Sequence, residues 1–423
     1  STKPRARQYL SFSSEVQNFG SNPCPHCLIA LVYASKRKGY TGCLGTNMTM
    51  SLPMCAIDFT NDAMGPEEEA IADRISQLKK EMGDDLLILG HHYQRDQIVM
   101  HADLLGDSFL LSELAAKSDA KNIVFCGVHF MAESADILTS DDQRVILPNM
   151  RAGCSMADMA ALFEVEMAWT QILEKTGLSD PATAKEGESC LIPVTYMNSA
   201  AELKDFCGRH GGIVCTSSNA AGILDWAYER AGPNGAVLFF PDQHLGRNTG
   251  VSMGIPLERM AVWTPGEENH IPSDVKIVLW HGFCSVHKRF TVAQIEAFRE
   301  KHPDGVVVVH PECPLEVVQA ADANGSTEYI RRFVASQEPG THIAVGTEIN
   351  MVARLDAQHE DLEIQCLEPT VCPCSTMYMI HPAYVLDVLE RLSDGEIPNQ
   401  VVVEKSVQVG AKIALERMLS IKQ

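Results

Sequence analysis

Long apolar runs are missing from this chain. No stretch approaches the ~18 consecutive apolar residues that cross a membrane as a helix, and none has the basic, apolar and small-residue layout of a secretory signal. Basic residues are scarce. Lys and Arg number 34 against 55 Asp and Glu, leaving a formal net charge of -21, which argues against nucleic acid or an anionic membrane as partner. An anionic substrate would therefore need local help from helix ends or a metal. Cysteine is plentiful, at 14 of 423 residues. Without a secretory layout these thiols are expected free or metal-bound in a reducing compartment, so the chain is expected to be cytoplasmic. The length suits two or three domains.

Residues 1–60 stand apart. Lys3, Arg5, Arg7, Lys36, Arg37 and Lys38 face only Glu15 and Asp58, serines are frequent and periodicity is poor. This composition suits a disordered extension, or an organellar transit segment, which would change the compartment. Its Cys24-Pro-His-Cys27 is weak evidence for zinc or redox chemistry, since Cys43 and Cys55 complete no regular spacing.

The rest is organised around Leu86–Ser108. A buried strand over Leu86–Leu89 runs into Gly90-His91-His92-Tyr93-Gln94, as parallel-sheet proteins present side chains at the carboxyl edge of a strand. A turn and a half of helix is expected next, ending at Gly106-Asp107-Ser108. Upstream, Pro66 and Glu67–Glu69 start a helix that Gly83 stops. Ser108 is placed at the N-cap of a helix over Phe109–Lys117, where it either caps or adds a hydroxyl to an anion-binding helix end. Strands over Ile123–Cys126 and Val145–Leu147 follow. Cys154-Ser155 then lies at a loop-to-helix junction, a position that favours a thiolate.

The plan recurs twice. Strand Cys190–Val194 ends at Thr195-Tyr196-Met197-Asn198, strand Ile213–Cys215 leads to Ser217 before a helix, and Ile277–Trp280 delivers Cys284-Ser285. Strand Val306–Val309 ends at His310-Pro311-Glu312, Gly325-Ser326-Thr327 precedes a helix, and the unit closes at Cys374-Ser375. His91 to Ser108 spans 17 residues, Tyr196 to Ser217 spans 21, and His310 to Thr327 spans 17. Such a repeat of one supersecondary unit, closed about an axis, brings three strand ends and three cysteines to one centre. Three thiolates suit zinc with an open fourth position, or a [4Fe–4S] cluster with one iron free of protein ligands. Cys372 competes with Cys374 but lacks the Cys-Ser register, and Cys313 has no counterpart in the other units. Among the polar residues, Glu312 is placed to move protons, Tyr93 and Tyr196 to orient or protonate a carbonyl or imine, and His91 and His310 to hold carboxylate or phosphate.

These stretches resemble the quinolinate synthase family (quinolinate synthetase A). The matching segments are GHHYQ with GDS, AGCSMADM, PVTYMNSAAELK with CTSSNA, PDQHLGRN, WHGFCSVH, HPEC, the Gly325-Ser326-Thr327 triplet, and CSTM at Cys374–Met377. They cover the chain from about residue 66 to its end. The resemblance implies an α/β fold of three similar three-layer α/β/α domains in a pseudo-threefold arrangement: 61–153 plus 375–423, 154–283 and 284–374. It implies a [4Fe–4S] cluster acting as Lewis acid on Cys154, Cys284 and Cys374. The implied reaction condenses iminoaspartate with dihydroxyacetone phosphate to quinolinate, in de novo NAD biosynthesis, releasing phosphate and two waters. Substrate-binding positions carry over to His91, Tyr93, Ser108, Tyr196, Asn198, Ser217, His310, Glu312 and Thr327, with Glu312, Tyr93, Tyr196 and His310 as catalytic candidates. The enzyme that supplies iminoaspartate is the implied functional partner. Phe206–Gly212 reads as an insertion. The competing expectations are an iron–sulfur hydro-lyase of a small dicarboxylate and a non-catalytic metal or redox sensor.

Overall fold

The computed structural model describes residues 64–368 and 373–421. The N-terminal segment with Cys24, Cys27, Cys43 and Cys55 lies outside the described residues, as does Cys372.

Short apolar runs form the strands, and their continuous burial is that of parallel sheets covered on both faces. In the first sheet the strands are β1 (Leu86–His91), β2 (Leu104–Gly106), β3 (Asn122–Cys126) and β4 (Arg144–Ile146). In the second they are β5 (Leu191–Tyr196), β6 (Ile213–Cys215), β7 (Ala236–Phe240), β8 (Met260–Trp263) and β9 (Ile277–Trp280). In the third they are β10 (Val306–Val309), β11 (Ala323–Asn324), β12 (His342–Gly346) and β13 (Glu363–Cys366). A last strand, β14 (Gln400–Val401), returns antiparallel to β4.

The three sheets share one order. It reads β2-β1-β3-β4, then β6-β5-β7-β9, then β11-β10-β12-β13, all parallel, with β14 and β8 added at two edges. In each, the first strand is flanked by the second and third, so the connections leave it in opposite directions. That is the switch point where α/β sheets open a crevice at their carboxyl ends. The expected fold class is therefore present: three α/β layers of helices and parallel strands.

Local details differ from expectation for identifiable reasons. After Tyr93 only one helical turn forms, Asp96–Val99, and Leu104–Gly106 is a strand. Pairing with β1 outweighs the weak helical tendency of so short a segment. Ser108 is the first residue of its helix; Asp107 is the N-cap, its carboxylate accepting from the Leu110 N–H. The extra residues around Phe206–Gly212 lengthen a helix, Ala201–Arg209, where the first and third units have only Asp96–Val99 and Leu315–Ala320.

Two apolar cores result. One runs continuously through the first two sheets and the other fills the third unit, while Tyr93, Cys284 and Cys374 pack against both. The C-terminal helix Lys405–Ser420 crosses Ala201–Arg209 at paired glycines. A Cβ on Gly208 would stand 1.9 Å from the Gly410 carbonyl oxygen. No helix among the described residues is long and apolar enough to cross a membrane.

Candidate functional site

Strand ends build the site. His91 ends β1, Tyr196 ends β5, and His310 follows β10 directly. These residues line one cavity. The same cavity is lined by Tyr93, Ser108, Asn198, Ser217, Glu312 and Thr327, and by Cys154, Cys284 and Cys374. The nine polar residues and three cysteines that the family resemblance implies for the site thus line a single space. Cys313 does not; it is fully buried against the Gly346 carbonyl.

Glu312 is the electrostatic centre. Tyr196 donates its hydroxyl to Oε1 at 2.6 Å, and His287 Nδ1 lies 2.7 Å from Oε2. Burial pushes the carboxyl up, but His310, His287 and the two hydrogen bonds outweigh it and hold it well below the usual carboxylate range. On the far side of His287, Nε2 lies 3.1 Å from the Thr347 hydroxyl, which in turn lies 2.7 Å from the Tyr93 hydroxyl. One polar chain therefore links the three units from Tyr196 to Tyr93. Burial, reinforced by the Glu312 charge, raises both phenols well above their ordinary value, so both stay protonated.

His91 and His310 repeat one local geometry. In each, Nδ1 accepts the backbone N–H two residues on, from Tyr93 at 3.1 Å and from Glu312 at 3.3 Å. This hydrogen-bond pattern assigns the ring proton to Nε2. Burial lowers both, His91 well below its ordinary value and His310 to about 3, so each is a neutral donor at pH 7. Two buried cavity atoms, Asn198 Oδ1 and Thr327 Oγ1, have no protein partner, which fits a polar ligand. Ser108 and Thr327 open their helices, whose caps are Asp107 and Ser326; Ser217 sits in the turn before Asn219 and its helix.

The cysteines form a matched set. Each follows the strand at the fourth place of the shared sheet order (β4, β9 and β13) and precedes a 3-10 turn that begins three residues on, at Ala157, His287 and Met377. A helix N-cap comes seven residues after each, at Ala161, Thr291 and His381. Each sulfur faces the backbone N–H groups two and three residues ahead: Met156 and Ala157, Val286 and His287, Thr376 and Met377. Those N–H groups favour thiolates, as expected from the sequence, but burial outweighs them. Cys154 is pushed up to about 12, Cys284 well above its ordinary value, and Cys374 also upward. Free thiols here would be protonated, and a cation that displaces the protons would restore the balance.

A second donor set is Cys284, His287 and Glu312, whose ligand atoms lie within 4.8 Å of one another and could hold a metal ion. In that set His287 Nδ1 and both Glu312 oxygens already have partners. The three thiols have no such competition, apart from the Thr376 hydroxyl 3.4 Å from Cys374 Sγ. Three sulfurs on one cavity, each facing two N–H donors, fit a thiolate-held group.

His287, Thr347 and Thr376 were missed from the sequence. His287 carried a signal, standing three residues after Cys284 in the position of Ala157 and Met377. Thr347 carried none, because its partners are 254 and 60 residues away.

Comparison with known proteins agrees with this geometry. The model of the quinolinate synthetase A protein family matches residues 73–420. Quinolinate synthase of Corynebacterium glutamicum is 52% identical over 360 residues, covering 84% of this chain and 88% of that protein. Quinolinate synthase of Geobacillus kaustophilus is 50% identical over 360 residues, covering 84% and 94%. That of Rhodopirellula baltica is 48% identical over 373 residues, covering 84% and 92%. With nearly the whole described chain inside the match, the protein belongs to the quinolinate synthase family.

Proposed function

We propose that the chain condenses iminoaspartate with dihydroxyacetone phosphate to give quinolinate, phosphate and two waters, the step that makes the pyridine ring for NAD. The observation that carries this reading is the meeting of three thiols and three strand-end polar clusters on one cavity. A [4Fe–4S] cluster held by Cys154, Cys284 and Cys374 would supply a Lewis-acidic iron.

The chain's own groups have defined parts. His91 and His310 present Nε2–H to substrate carboxylate or phosphate as neutral donors. Ser108 and Thr327, at the first positions of their helices, add hydroxyls at helix N-termini, and Ser217 adds another ahead of a third helix. Anion binding then needs no basic patch, which answers the net charge of -21. Asn198 and Thr327 bring the unpartnered oxygen atoms that a polar substrate satisfies. Glu312 is the acid/base centre. Held ionised between Tyr196 and His287, it works as an acceptor, and protons enter and leave through the Tyr196 O–H and His287 N–H. Tyr93, tied to the same chain through Thr347, orients the carbonyl or imine.

Anaerobic reconstitution with iron and sulfide, followed by assay with both substrates, tests the reading. Quinolinate formed by the wild type and lost in Cys284→Ala supports it. A reconstituted protein that dehydrates a hydroxy acid and makes no quinolinate overturns it in favour of a hydro-lyase. A protein that binds iron and turns over neither substrate set overturns it in favour of a sensor.

A further inference from the structure

The repeat extends to residues outside the cavity. In every unit the third strand is followed, two residues on, by an N-cap and then a ten-residue helix: Val128 with His129–Leu138, Asp242 with Gln243–Ser252, and Glu348 with Ile349–Gln358. The sixth helical residue is Ser134, Asn248 or Arg354.

Two of these reach across to the next unit and hold the same two atoms of its strand-end turn. Arg354, itself buried, donates to the carbonyls of His92 and Gln94, one and three residues after His91, the latter at 3.0 Å. Asn248 donates one amide group to the carbonyls of Pro311 at 2.7 Å and Cys313 at 2.8 Å, one and three residues after His310. The cycle closes with a substitution of parts. Ser134 reaches the Met197 sulfur at 3.3 Å, one residue after Tyr196, while the Ser199 carbonyl, three residues after Tyr196, is taken by the fully buried Lys204.

We propose that Arg354 and Asn248 are equivalent positioning residues, each fixing the strand-end turn of the neighbouring unit, with Lys204 doing so for the third turn. The inference rests on the reading of those turns as the substrate site. Neither Arg354 nor Asn248 lines the cavity. Their targets are carbonyls of buried residues, which makes an unfilled partner costly and the turn geometry stiff when both are filled. The turns carry His91 and Tyr93 in one case and His310 and Glu312 in the other. A displacement of about 1 Å there is enough to cost on the order of 10²-fold in rate.

The test is hydrogen exchange by mass spectrometry on the iron-loaded protein, read on peptides spanning 91–94 and 310–313. Arg354→Met should speed exchange at least about tenfold in the first peptide and leave the second unchanged; Asn248→Ala should do the reverse. Arg354→Lys, which keeps a cationic donor, should restore most of the protection. The kcat for quinolinate formation, measured well below the melting temperature, should fall at least about tenfold in Arg354→Met and Asn248→Ala with iron content unchanged. Exchange that rises equally in both peptides, or kcat and KM within twofold of wild type alongside a lower melting temperature, would reduce both residues to ordinary packing and overturn the proposal. Should the wild type form no quinolinate, the function reading fails on its own, while the exchange measurement still decides on the clamps.

Discussion

Tyr196 and Glu312 lie 116 residues apart in different units, and the phenol donates to the carboxylate across 2.6 Å, both side chains buried. The bond joins the end of β5 to the turn that follows β10. Replacing Glu312 by Gln removes the charge and keeps the shape. Quinolinate formation is expected to fall by roughly 10²–10⁴-fold with iron content unchanged, and Tyr196→Phe should cost less, roughly tenfold. Steady-state rates alongside iron analysis check this; a Glu312→Gln enzyme within threefold of wild type would remove Glu312 from the chemistry.

The thiols divide into two classes. Cys154, Cys284 and Cys374 open on the cavity, whereas Cys126 and Cys313 are fully buried elsewhere. Alanine at any of the first three is expected to take anaerobically purified protein from about four irons per chain to near none, and alanine at either of the other two to leave it near four. Retention of iron by Cys374→Ala and its loss in Cys372→Ala would move the third ligand.

Stability should fall in mild acid. His92 is buried, and burial first, then the Arg354 charge, push it from 6.5 to about 4, against a smaller opposing pull from Glu328. Between those values the unfolded chain takes up the proton and the folded one does not. The stability is therefore present above pH 6.5 and is lost progressively toward pH 4, on the order of 3 kcal/mol for this group. Unfolding free energies from urea titrations at pH 7 and pH 5 should separate by roughly 2 kcal/mol less in His92→Gln than in the wild type. Equal pH slopes in the two proteins would show that His92 carries none of the effect.

Packing gives a fourth expectation. Gly208→Ala places a methyl 1.9 Å from the Gly410 carbonyl oxygen, so the two helices must separate. A loss of at least about 3 kcal/mol in urea unfolding is expected. Gly153→Ala, whose methyl meets nothing within 4 Å, should stay within about 1 kcal/mol. Similar midpoints for both variants would mean that the crossing relaxes freely.

Much of this protein was determined by sequence alone. The apolar runs Ile277–Trp280 and Val306–Val309 are the strands as read, because a strand buried on both faces must be apolar along its length. The recurrence of hydroxyl and cysteine at matched intervals disclosed the three units, while Asn198 was named only through the family resemblance. What only the tertiary structure decided are relationships between elements. Leu104–Gly106 is a strand because β1 lies beside it, and burial outweighs the N–H donors at the thiols and pushes them up. The Thr347 bridge and the Arg354 and Asn248 clamps each join atoms whose residues stand 60 or more positions apart. Periodicity and spacing record what a residue does within its own element, whereas desolvation and hydrogen bonding across a junction depend on which surfaces meet.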